Sequence, residues 1–497
     1  MKAAKAFVFK IAIFLCLAIA APFAPAMGFD FFEDSQAPPV LAETRQSQED
    51  SANSIRSRFS LFGDVSLSTA FDWDHDEPEP GKKNFNSLSR QRLKLYLGAD
   101  TQLSQAWKIR LSGLFWYDFV FDILGKEDYE KSFVDSMKDQ TELWETWIQG
   151  PLLPGLEMRF GRQIVVWGTS ETLRVTDVIN PVDNREPGMT DIEDIRLPLL
   201  MTRLDYTLGR WSFTSLFVHE MRPDKLPAWG SPYYPFEQAL PYDNKPSMSL
   251  DNLQWGFAAN GRLTGLDVAL YLANYFDHVP YFTVTGSISG LQDLVDYVLT
   301  LEPPASLEDF DPSRIVLPPS VAFSSRIERR YSKLTMMGAA ATFTKGSWIL
   351  KGEAAHTEGH RFFLIQDREK ERFDWLLGVE YMGFSKTTLC LEGFWTHYPS
   401  FETLMEYTPE APKQSQAILT GRITRDFLRD KLRIIAVGLA AGDWGNDGWF
   451  FRTQADYDWA DGIAVTLGVT IYGSGNLDLY KALDKNDRVF AQVKYSF

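Results

Sequence analysis

Cysteine is almost absent: Cys16 and Cys390 are the two in 497 residues. A fold stapled by disulfides is therefore excluded. Histidine is scarce too, at six residues (His75, His219, His278, His356, His360 and His397). None of them comes with a G-x-S-x-G turn, so a hydrolase has few bases and no recognisable nucleophile. Runs of about 20 apolar residues, which a polytopic helical membrane protein repeats, are also missing. Basic residues are outnumbered, 50 Lys and Arg against 66 Asp and Glu, for a net charge of -16. Such a chain repels phosphate, and no nucleic-acid partner is expected. Against these shortages stands an aromatic excess of 36 Phe, 19 Tyr and 15 Trp.

The first 26 residues read as a leader rather than as part of a fold. Lys2, Lys5 and Lys10 precede an apolar run from Ile11 to Ala21, which is too short for a stable membrane helix. Ala24-Pro25-Ala26 places small residues where a signal peptidase cuts. Residues 1–26 are thus expected to be removed on export. Residues 27–57, with Pro38, Pro39 and a polar run from Glu43 to Asn53, form a lead-in, and 58–497 form the fold.

From Phe59 onward the dominant signal is strict alternation. Leu61, Val65, Leu67 and Phe71 share one face, while Asp64, Ser66, Ser68 and Asp72 share the other. Leu93, Leu95 and Leu97 oppose Arg92 and Lys94; Ile463, Val465, Leu467, Val469 and Ile471 oppose Thr466 and Thr470. These are strands with one apolar and one polar face. About 18 such segments can be placed, and the links between them alternate between short and long. Gly209-Arg210, Thr264-Gly265 and Ala460-Asp461 are short; 120–140, 167–197, 221–252 and 277–332 are long. Tight turns on one side and long loops on the other mark an all-β fold: a transmembrane antiparallel up-and-down β-barrel. Strands of this length match a tilted crossing of the hydrocarbon layer, and closure of the sheet pairs every backbone amide that lipid would leave unsatisfied. The aromatic excess then forms interfacial girdles.

The last strand ends Val489, Ala491, Val493, Tyr495, Phe497. The aromatic pair Tyr495 and Phe497 resembles the assembly signal of bacterial outer-membrane proteins. It implies the barrel-assembly machinery and outer-membrane lipid as partners, a bacterial outer-membrane location, a periplasmic lead-in over 27–57, periplasmic short turns and extracellular long loops.

The face assignment turns Arg90, Arg92, Lys94, Lys108, Arg110, Arg159 and Arg203 toward the lumen. Lys351, Arg422 and Arg452 share that side with Glu157, Asp205, Glu353, Glu380, Glu392 and Asp456. Two readings stand: a basic wall selecting anionic or amphiphilic solutes, or charges that pair across the lumen and solvate it. Three loops stand out. Segment 167–197 mixes acids, arginines and aliphatics and is expected to fold inward and narrow the pore. Segment 221–252 carries Pro223, Pro227, Trp229, Pro232, Tyr233, Tyr234 and Pro235, suiting a rigid cap. In 277–332, Leu291, Leu294, Val295, Val298 and Leu299 fall at helical spacing before Pro303-Pro304. Ordinary surface packing is the competing reading for all three.

Gly161, Arg162, Gln163, Trp167 and Gly168, followed by Asn180, Pro181 and Asp183, resemble the signature of the family called domain of unknown function 1302. More distantly the layout is similar to that of alginate-export barrels. The segment Arg185 to Pro198 departs from the usual member by carrying more acids. The resemblance implies a passive outer-membrane conduit or a partner of an inner-membrane exporter of the resistance-nodulation-division type; taken with the lumen charges, the expected function is a porin-like channel for small or amphiphilic solutes, anionic or lipid-like ones among them. No catalytic residue, metal or cofactor is expected; an outer-membrane hydrolase and a structural or adhesive barrel are the alternatives.

Overall fold

The computed structural model describes residues 59–75, 84–190, 192–236, 239, 242–289, 322–365, 367–408 and 411–497. The leader, the lead-in and the helical spacing over 291–299 lie outside these residues. The chain begins its sheet with β1 (Phe59–Asp72), β2 (Leu88–Gln102), β3 (Lys108–Asp118), β4 (Asp139–Leu153), β5 (Leu156–Gln163), β6 (Leu199–Leu208) and β7 (Trp211–Val218). β8 (Tyr242–Asp243) sits in the next loop; β9 (Gln254–Leu263) and β10 (Leu266–Phe276) resume the sheet. β11 (Tyr281–Ser289) and β12 (Ala322–Arg330) pair with β8 in a separate three-stranded sheet. The main sheet continues with β13 (Lys333–Lys345), β14 (Trp348–His360), β15 (Lys370–Phe384), β16 (Thr387–His397) and β17 (Ser415–Phe427). It ends with β18 (Leu432–Ala441), β19 (Gly448–Ala460), β20 (Ile463–Gly473) and β21 (Arg488–Ser496).

The 18 strands of the main sheet each pair antiparallel with their neighbours, and β21 returns to β1 from Asp64↔Ser496 to Asp72↔Arg488. The ring is closed. Its last bonds come from the terminal residue: Phe497 N donates to Gly63 O at 3.0 Å and Gly63 N to Phe497 O at 3.1 Å. Among the described residues no helix is long and apolar enough to cross a membrane.

The links obey the expected parity. At one rim the turns are brief, as at 209–210, 264–265 and 461–462; Gly265 adopts φ +71°, a left-handed backbone that glycine takes at little cost. The other rim carries the long loops, although 442–447 on that side is short, so not every link there is long.

Adjacent residues of β15 show how the two faces divide: Leu377 is 65% exposed and Leu376 0%. Leu61, Leu97, Leu111, Phe160, Leu270, Leu350, Leu391, Leu467 and Val493 are likewise exposed on the outside. An apolar exterior of this kind is stable against lipid, not water. The inner face departs from the simple pattern. Along β6, β7, β9, β10 and β13 it carries an apolar sector as well: Leu199, Met201, Leu216, Val218, Ala258, Ala273, Leu334 and Met336 are buried there, and the sector ends at Ala355 of β14 and Leu376 of β15, whose neighbours on that face are Lys351, Glu353, Asp374 and Glu380. The rest of the inner wall is polar, with Ser66, Asp72, Ser112, Thr420 and Thr470 buried on it.

Candidate functional site

The loop between β5 and β6 enters the barrel and crosses the lumen. Its apolar half seats on the apolar inner sector. Val165, Trp167, Val175 and Ile179 join Met201, Leu216, Tyr271 and Met336 in one buried cluster. Trp167 stacks on Tyr271 with centroids 4.9 Å apart, and Gly168 N donates to Tyr271 Oη at 3.1 Å. Gly256 makes room: a Cβ there would lie 2.8 Å from the Trp167 ring.

The family motif explains how the loop is held. Asn180 is fully buried and clamps both ends of it. Val165 N donates to Asn180 Oδ1 at 2.8 Å, while Asn180 Nδ2 donates to Leu197 O at 2.8 Å and Gln163 O at 3.3 Å. Pro181 O accepts from Leu197 N at 2.7 Å. Gln163 Nε2 ties β5 to Met201 O of β6 at 3.2 Å. Arg162 pairs with Glu220 at 2.5 Å and Glu142 at 3.4 Å. Gly161 lies so close to β4 that a Cβ would meet Trp147 Cα at 2.6 Å. Asp183 is paired with Arg185; burial alone would raise its carboxyl, but Arg185 outweighs burial and holds it below the usual range.

Two carboxylates of the far wall receive the middle of the loop. Glu353 on β14 accepts from Thr169 N at 2.5 Å, Ser170 N at 2.9 Å and Thr176 Oγ1 at 2.9 Å. Glu392 on β16 accepts from Ser170 Oγ at 2.8 Å and Thr172 Oγ1 at 2.5 Å. Lys351 on β14 meets Glu171 at 3.0 Å and Glu380 of β15 at 2.9 Å.

The last part of the loop reaches the seam of the barrel. Glu186 sits among Arg90 at 2.5 Å, Arg92 at 3.2 Å and Arg488 at 3.1 Å. Asp118 backs Arg92 at 3.2 Å and Asp72 backs Arg488 at 2.8 Å. Three guanidiniums thus face three carboxylates. Burial would push the Glu186 carboxyl up, but Arg90, Arg92 and Arg488 together hold it well below the usual carboxylate range. Arg92 and Arg185 flank the buried ring of Trp116, at 4.3 and 5.4 Å from its centroid. Tyr472 Oη donates to Pro187 O at 2.6 Å, and Arg452 Nη1 donates to Gly188 O at 3.3 Å.

The loop after β7 lies over this region. Tyr233 is buried against Tyr472 and the Arg488 guanidinium, 4.9 Å from its ring centroid; Asn486 Nδ2 donates to Pro232 O at 3.0 Å. Backbone bonds join it to the loop between β5 and β6, with Lys225 N donating to Val182 O at 2.9 Å and Asn184 N to Lys225 O at 2.8 Å. The first two loops singled out in the sequence therefore pack against each other.

The structure brings Arg90 and Arg92 into the Glu186 cluster and spreads the other basic residues along the wall. Arg110 holds Asp100 with two bonds of 2.8 and 2.7 Å, between the rings of Phe62 and Trp147. Arg159 lies over Trp147 at 4.4 Å and donates to Gln149 Oε1; Arg203 pairs with Asp205 at 2.7 Å. Lys94 and Lys108 are exposed. Tyr495 and Phe497 are half exposed on the outer wall. Sequence reasoning passed over Arg488, although the parity of β21 puts it on the inner face with Gln492 and Lys494; only the closure onto β1 brings it to Asp72 and Glu186.

The histidines do not assemble a catalytic constellation among the described residues. His219 Nε2 lies 2.9 Å from Thr202 Oγ1, while its neighbour Glu220 bonds Arg162 and Leu200 N. His356 and His360 part company because the ladder slips at Gly359 (φ +102°). His356 stacks on Phe373 of the outer wall; His360 is buried beside Tyr398.

No curated protein matches the chain. Among solved structures, it is similar to a BenF-like porin from Pseudomonas fluorescens Pf-5, at 9% identity and TM-score 0.49, covering 88% of this chain and 97% of that one. It is also similar to Acinetobacter baumannii OccAB1 at 9% identity and TM-score 0.48, covering 88% and 95%. Pseudomonas aeruginosa OccK2 (OpdF), solved in complex with glucuronate, matches at 10% identity and TM-score 0.47, covering 88% and 97%. The family model described as Protein of unknown function (DUF1302) matches residues 11–434, and the chain belongs to that family.

Proposed function

We propose that this barrel is an outer-membrane conduit for the passive passage of small or amphiphilic solutes, with no chemistry of its own. One observation carries the reading: a loop of the chain itself is bonded across the lumen, to an apolar wall on one side and a charged wall on the other. A scaffold or an adhesin has no need of a tailored constriction, whereas a selective channel does. An opening bounded by apolar and ionic surfaces suits a solute that has both kinds of surface. Because the arginines at the constriction are matched by carboxylates, selection there rests on size and amphiphilicity more than on net charge. In this reading the leader is cleaved, residues 27–57 and the short turns face the periplasm, and that rim is the one an inner-membrane exporter would meet.

Purified barrel in planar bilayers tests the proposal. Discrete conductance steps are expected, together with uptake of small amphiphiles into loaded liposomes. Silence in the bilayer combined with turnover of ester or peptide probes would move the protein to the hydrolase class.

A further inference from the structure

We propose that His356, Glu358 and Glu371 form a divalent-cation site of zinc-like preference on the outer wall of the barrel. Among the described residues this is the one group of three potential ligands whose ligand atoms all lie within 4.8 Å of one another. The site stands apart from the lumen and does not depend on whether the barrel conducts.

Backbone pairing builds the cluster. Glu358 of β14 lies directly opposite Glu371 of β15, and His356 lies opposite Phe373 on the same face. Like charges in a direct cross-strand pair repel, so this arrangement costs stability unless something positive sits between them. The nearby arginines are otherwise engaged: Arg361 holds Glu369 at 2.6 Å, and Arg372 turns inward to Asp374 at 2.7 Å. The group that faces both carboxylates is the His356 imidazole, 3.0 Å from Glu371 and 3.9 Å from Glu358. Its ring is stacked on Phe373 at 4.4 Å and 24°, so its orientation is set before any ligand arrives. One nitrogen and two carboxylate oxygens suit zinc better than calcium or magnesium, which take oxygen shells.

The location leaves a coordination position open. Phe373 and Trp375 on β15 and Trp395 on β16 are exposed on the outer wall beside the cluster, where an aromatic belt marks the edge of the hydrocarbon layer. Glu358 is 63% exposed beyond that belt. A cation held here by three protein ligands retains a fourth position toward water and headgroups.

Titration of the metal-stripped, detergent-folded barrel with zinc chloride by calorimetry is the test. One zinc per barrel with micromolar affinity is expected. His356→Ala and Glu371→Gln should each weaken binding by roughly tenfold or more. Glu369→Gln, a neighbouring carboxylate outside the cluster, should leave it unchanged. Heat-modifiable migration on gels reports folding of each variant, and Glu358→Gln serves as a further exposed-site variant should one of the others misfold. Zinc binding only at millimolar concentration, or binding equal in the wild type and the His356→Ala variant, would overturn the proposal. So would calcium binding as tight as zinc.

Discussion

Removing the charge of Glu186 unbalances the ionic cluster where the loop meets the barrel seam. In Glu186→Gln three arginines, Arg90, Arg92 and Arg488, are left facing Asp72 and Asp118 alone. One guanidinium charge is then uncompensated. For an ion passing about 6 Å away, that charge is worth about 0.7 kcal/mol at the dielectric constant of water. The sign is favourable for chloride and opposite for potassium, so the permeability ratio should move roughly tenfold toward chloride at low salt, and less as salt screens it. Losing one partner of a buried ionic cluster also costs stability, about 3–5 kcal/mol. The loop loses its tether to the β1–β2–β21 seam, so conductance should rise and become noisier. Reversal potentials across a salt gradient measure the first effect, single-channel recordings the second, and the temperature of gel-shift unfolding the third. Unchanged reversal potential and unchanged conductance in a folded variant would refute the claim that Glu186 neutralises the constriction.

The same cluster sets an acid limit. Because the Glu186 pKa is depressed in the folded state, its stabilisation is present above the unfolded value of about 4.3 and is lost as pH falls through the lower folded value. Channel conductance should therefore hold from neutral pH down to about 4 and open or destabilise only below it; a transition centred near pH 6 would contradict this. Trp167→Ala removes the ring that fills the space between Tyr271 and Gly256 and should cost about 3–5 kcal/mol, read as a lower unfolding temperature, with larger conductance. Gly256→Val tests the same seat from the other side: its Cβ would crowd the Trp167 ring, and overpacking of about 1–3 kcal/mol should favour a displaced loop and raise conductance without loss of barrel folding. Asn180→Ala leaves Val165 N and Leu197 O without their partner, about 1–3 kcal/mol for each buried group, and should make the loop cleavable by added protease in a barrel that still migrates as folded.

Much of the architecture was legible in the residue order because membrane strands obey local rules. Period-two alternation, as in Leu61, Val65 and Leu67 against Asp64 and Ser66, follows from the pleat alone. The alternation of short and long links follows from antiparallel neighbours. Both survive without knowledge of any distant contact, and all 18 barrel strands fall where these rules put them. The inward course of the loop at 167–197 could be anticipated from its aliphatics and arginines, which a purely solvated loop has no use for.

Other features depended on contacts far apart in the chain. The apolar inner sector could not be told from lipid-facing wall, because Leu376 and Leu377 are the same residue type and only the ring's curvature decides which looks inward. The partners of the lumen charges were equally hidden. Arg90 and Arg488 lie at opposite ends of the sequence, and it is closure of β21 onto β1 that places both beside Glu186. Periodicity determines which face a side chain occupies; which charge it meets across the lumen is decided by how the ring closes and where the loop crosses it, since electrostatic pairing depends on distance in space and not on separation along the chain.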